Sequence, residues 1–325
     1  MLSFAVYFSL CDNSMKVTDF IGCTGWVVLF VISSVCIPVI GPLLSLVTSL
    51  PFLYYSFKLG PYQGLKIAVT SIVIIMLFAY NVRQEQLVVF VIQFAVLGLI
   101  LSIMFKHGFS LGQTVVVATG AILCINIGIL AFICMLNDTS IHNIIASYLQ
   151  HQIKLTLHAY HEMAIPEDRV LELQTNASSL IDIITIIFPS LMTIASGLIV
   201  LLNIGAATVL FRLTGLKYPD FAPIDRWRPP ENLIWVTIFS GFAMFFSDWL
   251  RSLSINIFIV MIMIYICHGF SILSFFMNRY NIKTWVKILV YFIFAFQQIF
   301  WGMLALIGLF DQWIDFRKIQ KNDIA

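Results

Sequence analysis

Thirty-eight consecutive residues, Phe20 to Phe57, carry no charge, and that one run decides which solvent the chain folds in. As a single helix at 1.5 Å per residue it would extend about 57 Å, nearly twice the roughly 30 Å hydrocarbon core of a bilayer. Pro38, Gly41 and Pro42 stand near its middle, where missing donors and free φ angles permit a tight reversal. The run therefore reads as two hairpinned spans, the alternative being one span plus a re-entrant piece.

Further uncharged runs lie at Ile67 to Val82, Leu87 to Phe105, Thr114 to Leu136, Ile183 to Phe211, Asn232 to Ser247, Ser252 to Met277 and Ile288 to Phe310, which makes nine spans. Asn232 to Ser247 is the weakest, being short and separated from the next run only by Asp248, Trp249, Leu250 and Arg251. Without it the count is eight. With 60% hydrophobic and 10% charged residues, the chain has too little polar surface to coat a soluble domain of 325 residues. The expected fold is an all-α polytopic transmembrane helical bundle of eight or nine spans. It forms one integral membrane domain over 1–325: five spans in 20–136, an interfacial polar segment over 137–181, four spans in 182–310 and a polar tail over 311–325. The first run is too long for a signal-peptide core and no small-residue cleavage site follows it, so the N-terminus is expected to stay as an anchor.

In the nine-span arrangement eleven Lys and Arg residues fall on the side of the N-terminus and seven on the other, which puts the N-terminus in the cytoplasm. Odd parity then leaves the Arg317, Lys318 and Lys321 tail outside, and the eight-span arrangement returns it inside. A net charge of +2 with scattered basic residues gives no footprint for nucleic acid.

Within the polar segment Asp138, Thr139 and Ser140 are good N-caps. Ile141, Ile144, Ile145, Tyr148 and Leu149 then recur at helical spacing, as in an amphipathic helix lying on a membrane surface. Pro166, Glu167 and Asp168 open a second helix that runs through Asp182 into the sixth span, where Pro189 is a kink site. His151, His158, His161 and Glu162 can share a helical face, but HAYHE matches no zinc pattern, and a solvated polar stripe is the reading kept. No metal and no cofactor is expected. Cys23, Cys36, Cys124, Cys134 and Cys267 lie in apolar runs and Cys11 outside them, with no CxxC spacing, so they read as packing residues. Trp26, Trp235, Trp249, Trp285 and Trp313 fall near span ends, as interfacial anchors do.

Polar residues inside apolar spans are costly and therefore informative: Gln93, Asn126, Asn203, Asn256, His268, Gln297 and Gln298. The plain reading is interhelical hydrogen bonding, worth about 1 kcal/mol each. The candidates for a substrate contact or polar core are Arg251, Asn256, His268, Gln297, Gln298 and Trp301. Asp182 is the one carboxylate near a span interior. Asp248 and Arg251 are spaced for an ion pair at a headgroup-level turn. HExxH, GxSxG, P-loop and GxGxxG patterns are absent, and so are paired intramembrane aspartates, so no catalytic residue is assigned and the chain is not read as an enzyme.

Several phrases together resemble the bacterial YybS-like membrane proteins, the DUF2232 family. They are Lys58 to Gly64; Pro230 to Trp235; Trp249-Leu250-Arg251 with Asn256 and Gly269; and Gly308 to Asp311 with Asp315-Phe316-Arg317. The resemblance implies a bacterial cytoplasmic-membrane protein. The LGPxxG phrase at Leu59 to Gly64 is also similar to one in substrate-binding components of energy-coupling-factor transporters, where it faces the cytoplasm. That likeness implies that the first six spans enclose a small-molecule cavity open to the outside. The alanine pair those components use to dock on their coupling partner is missing, since Phe20 to Ile40 holds no alanine. The leading expectation is a small-solute transporter or substrate-binding membrane subunit lined by the last three spans. The alternative is a non-transporting scaffold or interaction protein of the cell envelope. Expected partners are the lipid bilayer, a small-molecule solute and a membrane protein.

Overall fold

The computed structural model describes residues 16–37, 40–84, 86–162, 167–216, 221 and 223–318, with the side chains of 158–162, 167–176, 178 and 248 also left out. The expectations for the N-terminus, Cys11, Pro38, Pro166 and the side chains of Asp248, His158, His161 and Glu162 lie outside what is described. Among the described residues every regular element is helical: α1 (Val17–Cys36), α2 (Ile40–Ser45), α3 (Ser49–Leu59), α4 (Pro61–Val82), α5 (Gln86–Lys106) and α6 (Leu111–Asn137). After them come α7 (Ile141–Glu162), α8 (Glu167–Thr214), a 3-10 turn (Ile224–Arg226), α9 (Leu233–Ala243), α10 (Asp248–Arg279), α11 (Thr284–Phe296) and α12 (Gln298–Ile314). Among the described residues seven helices, counting α2 and α3 as one, are long and apolar enough to cross a bilayer, and the bent pair α11 and α12 brings the number to eight if it is one span. The all-α polytopic bundle is therefore observed. The last span expected, Ile288 to Phe310, is broken at Gln297 with a bend of 102°.

Packing divides the chain into two compact units, Met1–Asn126 with Ala195–Phe221 and Ile127–Ile194 with Ala222–Ala325. In the first, α1 ends at Cys36, and α2 begins at Ile40 with Gly41 packed back against Ser33, as the expected reversal requires. Gly41 is required there because a Cβ would collide with the Ser33 carbonyl. A second interruption, at 46–48, splits the second span. The freed Leu46 carbonyl takes a hydrogen bond from the Asn203 carboxamide (2.9 Å), whose oxygen accepts from the Ser49 hydroxyl (2.6 Å). Such substitution of a side-chain amide for a lost helical bond is what lipid demands, because no water can fill the gap. Cys23, Val27, Val31, Ile67 and Val91 form one apolar cluster of this unit, and Leu53, Leu101, Val200 and Phe211 another.

The LGPxxG phrase has a local cause. Gly60 sits at φ 101° between α3 and α4, Pro61 opens α4 where no N–H is needed, and a Cβ at Gly64 would strike Ser56. Ser110 and Gln113 form a reciprocal capping box at the start of α6 (3.3 and 3.2 Å).

In the second unit Ser140 alone of the three expected caps serves α7, accepting from Asn143 N–H (3.3 Å), while Asp138 takes a left-handed φ of 47° at the end of α6. Along α7 Ile145 is buried, and Ile141, Tyr148 and Leu155 form an exposed apolar stripe at seven-residue spacing, suited to a membrane surface. Pro189 lies inside α8, which continues through it as one helix. Asn256 of α10 donates to Ile186 O (2.8 Å) and accepts from Ser190 N–H (2.8 Å), the two groups an unbroken helix would join directly. Its carboxamide is a surrogate rung in the ladder of α8.

Candidate functional site

The site with the most concentrated chemistry is where α12 crosses α10. Two glycines bring the backbones together: a Cβ at Gly269 would collide with the Leu304 carbonyl, and one at Gly308 with the Tyr265 carbonyl. This close approach sets His268, wholly buried, against α12. Because a carbonyl can only accept, Nδ1 of His268 must carry the proton it gives to Gly308 O (2.9 Å). Nε2 then accepts from Nη2 of Arg317 (2.8 Å). The Trp227 ring meets the imidazole edge-on, with centroids 6.1 Å apart.

Asp311 is the centre of charge. Its carboxylate is fully buried, with Oδ2 accepting from Arg228 (3.1 Å) and Arg317 (3.2 Å) and lying 3.3 Å from His268 Nε2. Oδ1 caps the backbone N–H of Phe316 (2.9 Å). Asp315 adopts a left-handed φ of 45°, which ends α12 and folds Arg317 back over the helix end, while its own carboxylate pairs with Arg228 (2.5 Å). Burial lowers the Arg317 guanidinium from its ordinary pKa, and the neighbouring Asp311 acts against that shift.

The guanidinium has a second task. Residues 224–232 are largely non-helical, and their inward carbonyls need donors. Arg317 Nη1 donates to Asp225 O (2.7 Å) and Trp227 O (3.2 Å), and the Ser271 hydroxyl donates to Ile224 O (2.7 Å) and Trp227 O (3.0 Å). Two arginines therefore face Asp311 and Asp315 with internal neutralisation. Of the buried side-chain atoms described around this site, only the Nε atoms of both arginines, Asp225 Oδ1 and Gln312 Nε2 lack a partner. Chemically this is a lock that holds the loop and two helix faces together. No group of three or more metal-binding side chains occurs among the described residues, and His151 is exposed.

Of the six residues singled out by sequence, only His268 joins this network. Asn256 serves α8. Arg251 is exposed and donates from Nε to Met244 O (3.2 Å), closing the turn between α9 and α10. Gln297, Gln298 and Trp301 gather at the bend between α11 and α12. The Trp301 indole donates to Phe294 O (3.0 Å) and Ala295 O (3.2 Å), the last carbonyls before the break. Gln297 and Gln298 are exposed, and their carboxamides have no hydrogen-bond partner among the described residues. Sequence reasoning missed Asp311, Asp315, Arg317 and Arg228. The reading of Asp182 as the one carboxylate near a span interior is also corrected, since Asp311 lies within α12 and is buried. The signal was present in the phrases Gly308 to Asp311 and Asp315 to Arg317, whose charged residues sit beyond the last uncharged run and so looked like a solvated tail.

Comparison with known proteins settles the family, because the model described as a predicted membrane protein (DUF2232) matches residues 26–312. The chain belongs to the DUF2232 family. Arg228, His268 and Asp311 lie inside the family's matched region, whereas Asp315 and Arg317 follow it. No curated protein and no solved structure matched the chain. Family and helices agree on a multi-pass protein of the cell membrane, in contact with the lipid bilayer.

Proposed function

We propose that this DUF2232 protein is a small-solute transporter or the substrate-binding membrane subunit of one. The observation that carries the reading is the break at Gln297. Two unpartnered carboxamides and the first turn of α12 are presented within an otherwise apolar helix pair. Polar groups of this kind in lipid face a cavity or a partner, and interrupted helices supply substrate contacts in many transporters. Solute contact is thereby assigned to Gln297 and Gln298 rather than to His268, whose ring nitrogens are engaged internally. The reading gives the protein no catalytic step.

The scaffold reading is favoured by a different observation: His268, Asn256 and Trp301 all bond to neighbouring helices or backbone, as in a core closed for structural reasons. Thermal unfolding of the detergent-solubilised protein against a panel of vitamins, nucleobases, amino acids and metal ions separates the two. A ligand at 100 times its Kd stabilises by about 2.7 kcal/mol. Under the transport reading one solute class raises Tm, and Q297L/Q298L abolishes the shift without lowering the unliganded Tm. No shift across the panel rejects transport in favour of the scaffold.

A further inference from the structure

A ring nitrogen of histidine is an acceptor when bare and a donor when it carries a hydrogen, so one proton reverses its role. His268 gives its Nδ1 hydrogen to Gly308 O, which leaves Nε2 bare and accepting from Arg317 Nη2 at 2.8 Å. The same Nη2 donates to Asp311 Oδ2 (3.2 Å), and that oxygen lies 3.3 Å from Nε2. In this triangle the position of one hydrogen decides which groups pair. A second proton on the ring puts an N–H on Nε2. Two donors then face each other across 2.8 Å and the guanidinium is repelled, while the 3.3 Å contact with Asp311 becomes a charge-assisted hydrogen bond.

The exchange conserves charge. With a neutral ring, Arg228 and Arg317 face Asp311 and Asp315. Afterwards Arg228 and the imidazolium face the same two carboxylates, so the buried Asp311 keeps its compensation throughout. The displaced guanidinium also has a destination. Arg317 Nη1 already donates to the Asp225 carbonyl (2.7 Å), and Oδ1 of that same residue is buried without a partner among the described residues, as is Arg317 Nε. Asp225 Oδ2 accepts from Asn278 (2.7 Å), which in turn accepts from Lys287 of α11 (2.5 Å). The remaining titratable groups of the packed elements are engaged elsewhere. α9 contains none, and Arg226, Glu231 and Lys318 are exposed. Tyr265 turns its hydroxyl to Gln312 (3.5 Å), and Cys267 is rotated about 100° around α10 from the imidazole. Lys287 and Tyr291 of α11 meet α10 at Asn278 and Phe270.

We propose that His268 is a proton-binding site, and that the bound proton moves Arg317 from Asp311 onto the Asp225 carboxylate. The lock between the 224–232 loop and the two helices is thereby a two-position device. Protonation rises as pH falls, so higher pH keeps Arg317 on Asp311 and lower pH transfers it to Asp225. In the transferred position the Trp227 carbonyl loses both of its guanidinium bonds (3.2 and 3.3 Å) and keeps only the Ser271 hydroxyl. The proton site does not depend on the transport reading.

Of the six histidines, five are replaced in H107Q/H142Q/H151Q/H158Q/H161Q, which leaves His268 as the sole imidazole of the full chain. Nitrogen NMR of the solubilised protein with isotope-labelled histidine then reads directly whether Nε2 is bare or protonated. Expected is a bare Nε2 at about pH 8 and a protonated one by about pH 5, the range in which histidine changes charge. R317Q removes the opposing cation and should raise the midpoint by about one pH unit, whereas D225N removes the destination and should lower it by about as much. An Nε2 that stays bare throughout overturns the proton site, and a midpoint that neither variant moves overturns the transfer of Arg317. Should the multiple variant fail to fold, hydrogen exchange at the Arg226 and Trp227 amides, corrected for the intrinsic rate, decides in the otherwise native chain. Native protein should lose protection about tenfold across the same pH range as Arg317 leaves Trp227 O. H268Q offers Arg317 an oxygen acceptor but binds no proton, and it should show no such loss. Equal pH profiles in the two proteins overturn the proposal.

Discussion

Replacing Asp311 by Asn leaves the shape of the site and removes one negative charge where two arginines converge. The carboxylate is completely buried and holds Arg228, Arg317 and the Phe316 N–H. Asparagine can still accept from Phe316, but its amide hydrogens then confront guanidinium donors. Breaking one partner of a buried pair costs about 3–5 kcal/mol, because the remaining charge stays buried without compensation. For a domain of this size that is a Tm loss on the order of 10 °C. Asp315, partly accessible at 17% of its side chain and bonded to Arg228, is the comparison: D315N should cost about 1 kcal/mol. In D311N/R317Q the uncompensated charge on Arg317 is gone too, so the double variant should lose about 2 kcal/mol less than the sum of the single ones. Thermal unfolding of the solubilised proteins, followed by intrinsic tryptophan fluorescence, measures all four. If D311N melts within about 1 °C of the native protein, or the single effects simply add, the four charges do not act as a coupled lock and buried charge pairing is not what holds the helix ends together.

G308A forces a Cβ onto the Tyr265 carbonyl and should destabilise by about 1–3 kcal/mol, whereas G302A, with open space at its Cβ, should leave Tm unchanged. N256A removes the surrogate rung in α8, leaving Ser190 N–H and Ile186 O unpaired. A loss of about 2 kcal/mol is expected, with faster hydrogen exchange at the Ser190 amide as the specific sign. At Gly60, whose φ is 101°, alanine should cost about 1–2 kcal/mol in thermal unfolding, and an unchanged Tm would show that the turn relaxes without strain.

The helices were legible because lipid imposes a one-dimensional rule, namely about 20 apolar residues per crossing. The hairpin reversal near Gly41 and the helix running through Asp182 both followed from local chemistry. The break at Gln297 was not legible, since Ile288 to Phe310 contains no proline and its Gly302 lies beyond the bend. Asn256 shows the limit from another side. As an intramembrane asparagine it was marked as special, but the sequence does not show that its partners are Ile186 and Ser190, 70 and 66 positions away.

Sequence by itself determined the solvent, the helical class, most span positions and the family, because each depends on composition or order along the chain. Tertiary structure alone decided which polar groups meet. Asp311, Arg317 and Arg228 looked like tail and loop charges because they lie outside the uncharged runs. They became a buried network only when Gly269 and Gly308 let two helices touch and a left-handed turn at Asp315 carried Arg317 back over the helix end. Burial of a charge is a property of what packs around it, and those neighbours come from segments up to 92 residues apart.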